Sequence, residues 1–238
     1  MRELPRPVKP LRWVASSRKD YQQFPPKVQD TFGFELFLAQ TGEHPPSAKP
    51  LKGFGGGVVE LIENFDGDTY RAIYAVRFET TVYVLHCFKE IEARQEDPAK
   101  RPGAGEEAAQ GRGSGLQRRE TRKETTMSRT GTRIYESDAN IFADLGLPDA
   151  DTHYLKAQIV AELFRLTRQR KLTQAKAGER MGISQPEVSR LFKGHFREYS
   201  VERLMEFLTT FDRDVEIVSR PGARKGERGH ITFKAANA

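Results

Sequence analysis

The sequence predicts an α+β protein in which two folded segments are joined by a flexible linker. Residues 1–89 are rich in phenylalanine, valine, leucine and tyrosine, and residues 127–238 carry apolar positions at helical spacing. Between them, residues 90–126 contain only Ile91 and Leu116 as large apolar side chains. A segment that buries so little apolar surface does not offset the entropy that it loses on ordering. We therefore expect two domains with an unstructured connection.

The composition restricts the classes of protein to consider. The 238 residues include 39 lysines and arginines against 33 aspartates and glutamates, and the net charge of +6 favours an anionic partner without choosing between DNA, RNA and membrane. The single cysteine, Cys87, excludes an internal disulfide framework and suits a reducing cytosol. No apolar run is long enough to span a membrane, and the N-terminus lacks a signal core. We expect a cytoplasmic protein that does not bind membranes and needs neither metal nor cofactor.

The first segment has the predicted element order β-α-α-β-β-β. A short opening strand, two helices and three strand-like runs fall at residues 12–15, 17–24, 26–41, 58–65, 69–78 and 81–88. Asp66-Gly67 and Glu79-Thr80 have the composition of hairpin turns between the last three strands. This order predicts a helical hairpin packed on a twisted, mainly antiparallel sheet.

The linker ends at Met127, which has the context of an ordinary start codon. This favours two adjacent reading frames joined by design or by mutation. Suitable codons for residues 90–112, read in a shifted frame, encode a basic turn followed by an amphipathic helix, a sensible end for a small basic domain. Codon degeneracy leaves coincidence as the alternative, and the nucleotide sequence around codons 88–127 distinguishes the two.

Four stretches of the first segment resemble the HigB-type, phage-derived branch of the RelE/ParE toxins, which are small ribosome-dependent mRNA endonucleases. They are residues 49–57, 60–61, 70–74 and 82–89. The resemblance implies that Arg71 faces the scissile phosphate and that Lys49 and Lys52 form a basic loop. It also makes His86 and Lys89 candidates for proton transfer and phosphate contact.

Other roles stay open for these side chains. Arg71 is otherwise a solvated strand arginine, His86 a core-facing histidine, and Lys49 and Lys52 lysines that keep a loop soluble. After Phe88 the resembling family continues with a lysine-rich turn and a helix, whereas the linker follows here. The first domain is therefore expected to be truncated, which puts its nuclease activity in doubt.

The second segment contains the pattern of a helix-turn-helix at about residues 172–194, the arrangement that sets a helix into the DNA major groove. Thr173 is placed to cap the first helix, and Gly182 is placed to end it. Ser184 and Glu187 then form a capping-box pattern at the start of the second helix.

The second helix of this motif divides into two faces. Val188 and Leu191 fall on one face as core anchors, while Gln185, Ser189 and Arg190 fall largely on the other and are free to contact base edges and phosphates. The alternative is a helical hairpin without a DNA role. Agreement between turn chemistry, core spacing and polar face favours DNA binding.

The rest of the second segment is predicted to be mainly helical. A helix begins near residues 149–151 and carries an apolar stripe, and another begins at Ser200 after the motif. Residues 214–218 alternate like a strand, and residues 231–233 form a second short strand in this prediction. The segment therefore ends in a short strand or two.

The second segment resembles HigA-type antitoxins of the Cro/C1 (XRE) helix-turn-helix superfamily over nearly all of residues 127–238. Members of that family dimerise, bind a palindromic operator and repress their own operon. The resemblance implies that Gln174 holds a phosphate, that Gln185 and Ser189 read base edges, and that Arg190 reaches a guanine or a phosphate. Four further residues complete the predicted DNA interface: Ser184, Glu187, Lys193 and Arg197. Of these, Lys193 and Arg197 are expected to make sequence-independent contacts.

Taken together, the two resemblances imply a type II toxin–antitoxin fusion: a toxin domain at 1–89, a linker at 90–126 that is either disordered or a frameshifted toxin C-terminus, and a DNA-binding domain at 127–238. The leading hypothesis is an operator-specific autorepressor tethered to an mRNA interferase domain of doubtful activity. The alternatives are an active endoribonuclease inhibited by its own antitoxin domain, and a complex in which the halves only occupy each other. The expected partners are operator DNA, a second copy of the chain, each domain for the other in cis or in trans, and the ribosome with mRNA if the toxin is active.

Overall fold

The computed structural model describes residues 8–54, 57–77, 80–90, 125–127, 132–137, 140–221, 229 and 231–235. The strands in these residues are β1 (Leu11–Val14), β2 (Lys49–Pro50), β3 (Val58–Phe65), β4 (Asp68–Arg77), β5 (Thr81–Glu90), β6 (Thr125–Met127) and β7 (Arg133–Glu136). The helices are α1 (Ser17–Gln22), α2 (Pro26–Gln40), α3 (Ile141–Asp144), α4 (Ala150–Gln169), α5 (Gln174–Met181), α6 (Gln185–Phe192) and α7 (Val201–Thr209). This combination of strands and helices confirms the predicted α+β class. None of the described helices is long and apolar enough to cross a membrane.

The strands form one sheet in the order β2-β3-β4-β5-β1-β7-β6. The antiparallel ladder of β3, β4 and β5 confirms the three predicted strands, and β1 adds to β5 in parallel. Asp66 and Gly67 have φ values of 53° and 79°, so both central residues of the β3–β4 turn adopt the positive φ that a tight two-residue hairpin requires. The second predicted turn includes Glu79, which lies outside the described residues.

The sheet is completed by residues from beyond the linker, which the sequence did not reveal. β7 pairs antiparallel with β1 and places Tyr135 opposite Trp13. Ser137 donates its backbone N–H to Leu11 at 2.9 Å, extending the ladder. Because β1 would otherwise be an open edge with unpaired backbone groups, the second segment closes the sheet of the first.

The helix α2 is buried on all sides between the sheet and the second segment. The fourfold spacing of Val28, Phe32 and Leu36 in the sequence predicts a single apolar stripe, but every residue from Val28 to Gln40 is buried. Burial on every side places α2 inside the core rather than on a surface, and its polar side chains are buried with it. The three layers are therefore the sheet, the hairpin of α1 and α2, and the helices α3 to α7.

Aromatic side chains fill both faces of α2. Phe32 stacks edge-on with Phe24, which contacts Tyr70 of the sheet. On the other face, Phe34 packs against Phe196 and Phe37 against Tyr154, with ring centroids 5.3 and 5.4 Å apart. A Cβ at Gly33 would lie 2.8 Å from a ring carbon of Phe142, so only glycine permits this approach.

Two predictions about connecting segments have different outcomes. The predicted strands at 214–218 and 231–233 are wrong for the described residues, which show neither helix nor strand there. A strand needs a partner backbone, and the described part of the chain supplies none to either stretch. The predicted linker and the shifted-frame helix fall mostly on residues 91–124, outside the described residues. The described ends of that linker, Glu90 and Thr125–Thr126, belong to β5 and β6.

Candidate nucleic-acid interface

The helix-turn-helix forms with the predicted turn chemistry. Thr173 caps α5 by accepting the N–H of Lys176 at 3.3 Å, and Gly182 ends the helix with φ of 68°. The carboxylate of Glu187 accepts the N–H of Ser184 at 2.8 Å and its hydroxyl at 2.6 Å, which confirms the capping box. The same hydrogen bonds lower the pKa of Glu187. Both helices are therefore capped by their own side chains.

The packing of α5 on α6 fixes which face of α6 stays outside. Val188 and Leu191 are fully buried, as predicted. Gly178 in α5 makes the closest approach, because a Cβ there would lie 2.5 Å from the carbonyl oxygen of Ile183 in the turn. Any larger residue would push the two helices apart. Gly178 is a residue whose role the sequence pattern did not show.

Of the residues predicted to contact DNA, Gln174 and Gln185 lie together at the starts of the two helices, and Ser189 and Arg190 lie about one turn further along α6. Gln174, Gln185 and Arg190 are exposed, and Ser189 is half-buried. Nε2 of Gln185 donates a 2.7 Å hydrogen bond to Oε1 of Gln174. The first residues of α5 and α6 therefore hold each other, and the amide group of Gln185 is oriented before any ligand arrives.

Arg197, by contrast, contacts the first segment. Its guanidinium donates to both carboxylate oxygens of Asp30 in α2, at 2.5 and 2.9 Å. The backbone of Gly194 also meets α2, because a Cβ there would lie 2.9 Å from the carbonyl oxygen of Asp30. Lys193 stays exposed at the end of α6. In the segment that follows α6, Arg197 therefore contacts the first segment of the chain, whereas Lys193 is exposed to solvent.

A cleft of about 580 Å³ separates α6 from the start of α2. Lys27 and Asp30 line it on one side, and Glu187 and Arg190 line it on the other. Because Glu187 and Arg190 lie on the flank of α6 next to the exposed polar face, the first segment sits beside the candidate DNA surface. The structure leaves Gln185 on the opposite flank, turned toward α5.

A second candidate surface is the outer face of the sheet. Lys49, Glu60, Ile73 and His86 are register partners across β2, β3, β4 and β5, so they share one face. The register of β4 with β5 shifts between Ile73 and Tyr74. This bulge reverses the alternation of β5, so that His86 is exposed rather than turned into the core.

Arg71 lies on this outer face between two carboxylates. Its guanidinium binds Glu60 at 2.7 Å and Glu90 at 2.6 Å, and both hydrogen bonds raise the pKa of Arg71. His86 stacks on Phe88, the register partner of Arg71, with ring centroids 5.1 Å apart. Arg71, Lys49 and His86 thus share this face, and the sequence analysis did not predict the acidic pair Glu60 and Glu90 beside Arg71.

The other two predicted catalytic residues lie elsewhere. Lys89 is the register partner of the buried Tyr70, which places it on the opposite side of the sheet, and it binds Asp68 at 2.6 Å. Lys52 is exposed in the loop after β2. Three of the five predicted catalytic residues therefore lie on the outer face of the sheet, and two do not.

The comparisons with known proteins find matches to two separate parts of the chain. Residues 19–96 match the family of phage-derived proteins described as Gp49-like, and residues 141–220 match a helix-turn-helix domain family. A solved structure named "Putative XRE Family Transcriptional Regulator" is 39% identical over 37% of this chain and all of that chain, with a TM-score of 0.36. No curated protein matches the chain. The chain thus contains a Gp49-like domain, of the RelE/HigB-like toxin family, at residues 19–96 and an XRE-type helix-turn-helix domain at residues 141–220.

Proposed function

We propose that this chain is a toxin–antitoxin fusion that binds a palindromic operator as a homodimer and represses its own operon. The observation that carries this proposal is the paired display of Gln174 and Gln185, joined by a 2.7 Å hydrogen bond at the adjacent starts of two capped helices. Helix N-termini attract phosphates, and a side-chain amide reads an adenine edge with two hydrogen bonds.

Each residue of the motif has a distinct role in this proposal. Gln174 binds a phosphate and steadies Gln185, which reads a base edge. Ser189 and Arg190, one turn further along α6, extend the reading to the next bases. Lys193 and Ser184 contact the backbone, and Glu187 acts through the cap of α6. Arg197 acts through its pairing with Asp30, which holds the loop in place.

Footprinting of the full chain on the DNA upstream of its own coding sequence tests the proposal. Two protected half-sites separated by about one helical turn are expected, because a two-fold dimer presents two copies of α6 to successive major grooves. Affinity must also fall steeply as salt rises, since Lys and Arg displace counterions from phosphates. Uniform protection without half-sites contradicts operator recognition.

The second candidate function is cleavage of mRNA on the ribosome. The observation that favours it is the exposed outer face of the sheet, where Arg71, Lys49 and His86 lie on the side opposite α2 and the helical layer. An incoming phosphate must displace Glu60 and Glu90 from Arg71, which weighs against activity. We therefore place repression first.

A ribosome-dependent cleavage assay with the full chain separates the two functions. Intact mRNA is expected with the wild-type chain and with Arg71→Ala. Cleavage that Arg71→Ala abolishes establishes the nuclease instead. Replacing Glu60 with glutamine frees one side of the guanidinium, and cleavage that appears only in that variant identifies the carboxylate as the obstacle.

A further inference from the structure

Residues 214–221 form an exposed arm at the end of the helix-turn-helix domain. Ile217 is 82% exposed, Val218 56% and Val215 36%. The arm has neither helix nor strand, and no backbone hydrogen bond joins it to another residue in the described part of the chain. Apolar side chains beside unpaired backbone groups make a template for pairing with another strand.

The arm begins at a position that ion pairs hold fixed. Arg170 binds the carboxylate of Asp212 at 2.6 Å and the carbonyl of Phe211 at 2.5 Å. Arg213 binds Glu162 of α4 at 3.1 Å. Whatever pairs with the arm is therefore placed at a defined position relative to α4 and, through it, to α6.

We propose that residues 214–220 pair antiparallel with the same residues of a second copy of this chain. The stretch reads Asp-Val-Glu-Ile-Val-Ser-Arg. With the two-fold axis at Ile217, each Ile217 lies opposite its copy and Asp214 lies opposite Arg220. One oppositely charged pair then forms on each side of the axis, and cross-strand pairs of this kind stabilise a ribbon. A two-fold interface demands such self-complementarity.

Neighbouring registers are less favourable. An axis at Glu216 places two glutamates directly opposite each other, which is repulsive. An axis at Val218 brings Pro221, which has no N–H to donate, into the ladder opposite Val215. The axis at Ile217 avoids both faults and gathers Val215 and Ile217 of the two copies on one face of the ribbon.

This ribbon specifies how the proposed operator-binding homodimer forms, and its biological role rests on that proposed function. The two-fold axis that relates the arms also relates two copies of α6, as a palindromic operator requires. The area of a two-stranded ribbon is small, so the dimer is expected to exchange with monomer at micromolar concentration and to be reinforced by DNA.

Sedimentation velocity of the full chain without DNA tests the ribbon. Ile217→Lys places two ammonium groups opposite each other at the axis, and it is expected to weaken dimerisation by at least about tenfold. The fold of the monomer tolerates this change because the side chain is 82% exposed. Ile231→Lys is the matched control: Ile231 is 80% exposed and lies outside the ribbon, so its dimer constant should equal that of the wild type.

A charge exchange tests the register. Asp214→Arg and Arg220→Asp are each expected to weaken the dimer several-fold, and the double variant should restore it to within about threefold of the wild type. A monomeric wild-type chain, a dimer insensitive to Ile217→Lys, or a double variant without rescue overturns the proposal.

Operator titration of the same variants keeps the two proposals apart. A chain that dimerises through the ribbon and binds no specific DNA refutes the operator function and leaves the ribbon intact. A chain that binds the operator as a dimer unaffected by Ile217→Lys refutes the ribbon and leaves the operator function intact.

Discussion

Asp30 and Arg197 lie 167 residues apart in sequence and share two hydrogen bonds at 2.5 and 2.9 Å. The Asp30 side chain is only 7% exposed, and Nε2 of His153 lies 3.6 Å from the same carboxylate. Burial lowers the pKa of His153 to about 4, so this imidazole is neutral at pH 7. Arg197 therefore supplies the positive charge that holds Asp30 in the domain contact.

Removal of Arg197 is expected to destabilise the whole chain. Arg197→Ala leaves the buried carboxylate of Asp30 without its cation, which costs about 1–3 kcal/mol, less than in a fully buried pair because Arg197 is 43% exposed. Urea denaturation at pH 7 measures the loss. Arg203→Ala is the control, since its pair with Glu206 lies on the surface, and it should change the midpoint little. Equal effects of the two variants contradict a structural role for the contact.

The glutamine pair is expected to control operator affinity. Gln185→Ala and Ser189→Ala should each weaken binding by about 1–3 kcal/mol for a lost base contact. Gln174→Ala should weaken it as well, because Gln185 then loses the partner that orients its amide. Fluorescence anisotropy with the footprinted operator measures these changes. Gln23→Ala, an exposed glutamine of the other domain, is the control, and unchanged affinity in the motif variants rejects the assignment.

Glu35 is expected to make the stability of the chain depend on pH. Burial raises the pKa of this carboxyl to about 7 from its ordinary 4.5, although the N–H and hydroxyl of Ser47 both donate to it. The folded state thus keeps the proton of Glu35 to higher pH than the unfolded state does. The stabilisation that this difference gives is complete below pH 4.5 and is lost as the pH rises to 7. The loss amounts to roughly 3 kcal/mol.

The variant Glu35→Gln isolates this effect. Glutamine keeps the acceptor for the N–H of Ser47 and has no proton to lose, so the variant should gain on the wild type steadily between pH 5 and pH 8, a range chosen to span the raised pKa. Denaturant unfolding at several pH values measures the difference. His153 titrates in both proteins and cancels from the comparison. Parallel stability curves would show that the carboxyl is charged throughout.

Separation of the two halves is expected to leave the first half unfolded or insoluble. Residues 1–90 lack β7, which closes the edge of β1, and lack the helices that cover Phe34 and Phe37 of α2. Coexpression with residues 125–238 should restore a soluble complex, because both missing surfaces return in trans. Solubility and copurification measure the result. A soluble, folded fragment of residues 1–90 contradicts the shared core.

The helix-turn-helix was predictable because its determinants are local. Thr173, Gly182, Ser184 and Glu187 act within four residues of their targets, so caps and turn can be recognised from spacing alone. The exposure of Gln185 and Arg190 follows from the same helical period. The contact between Gln174 and Gln185 was not predicted, since it depends on the angle at which the turn sets the two helices.

The sheet face was predictable only in part. Tyr70, Ala72 and Tyr74 alternate with Arg71 along β4, which predicts that Arg71 lies on the face opposite the core, and the structure places it there. A bulge interrupts the alternation of β5, and no residue pattern predicts it. The sequence therefore left open which face of the sheet the His86 side chain occupies. The carboxylates beside Arg71 come from β3 and from the end of β5, and only their register brings them within hydrogen-bond distance.

Interactions between residues close in sequence were thus enough to predict the two capped helices and their exposed polar residues. The union of the halves came from folding in three dimensions: Arg12 pairs with Glu136, 124 positions away, and α2 is buried by helices that follow more than a hundred residues later. Such pairings depend on shape and register between distant strands and helices. A segment as short as Arg133–Glu136 shows no periodic pattern that would predict such a pairing. It is a strand because it pairs with β1, and not because of its own composition.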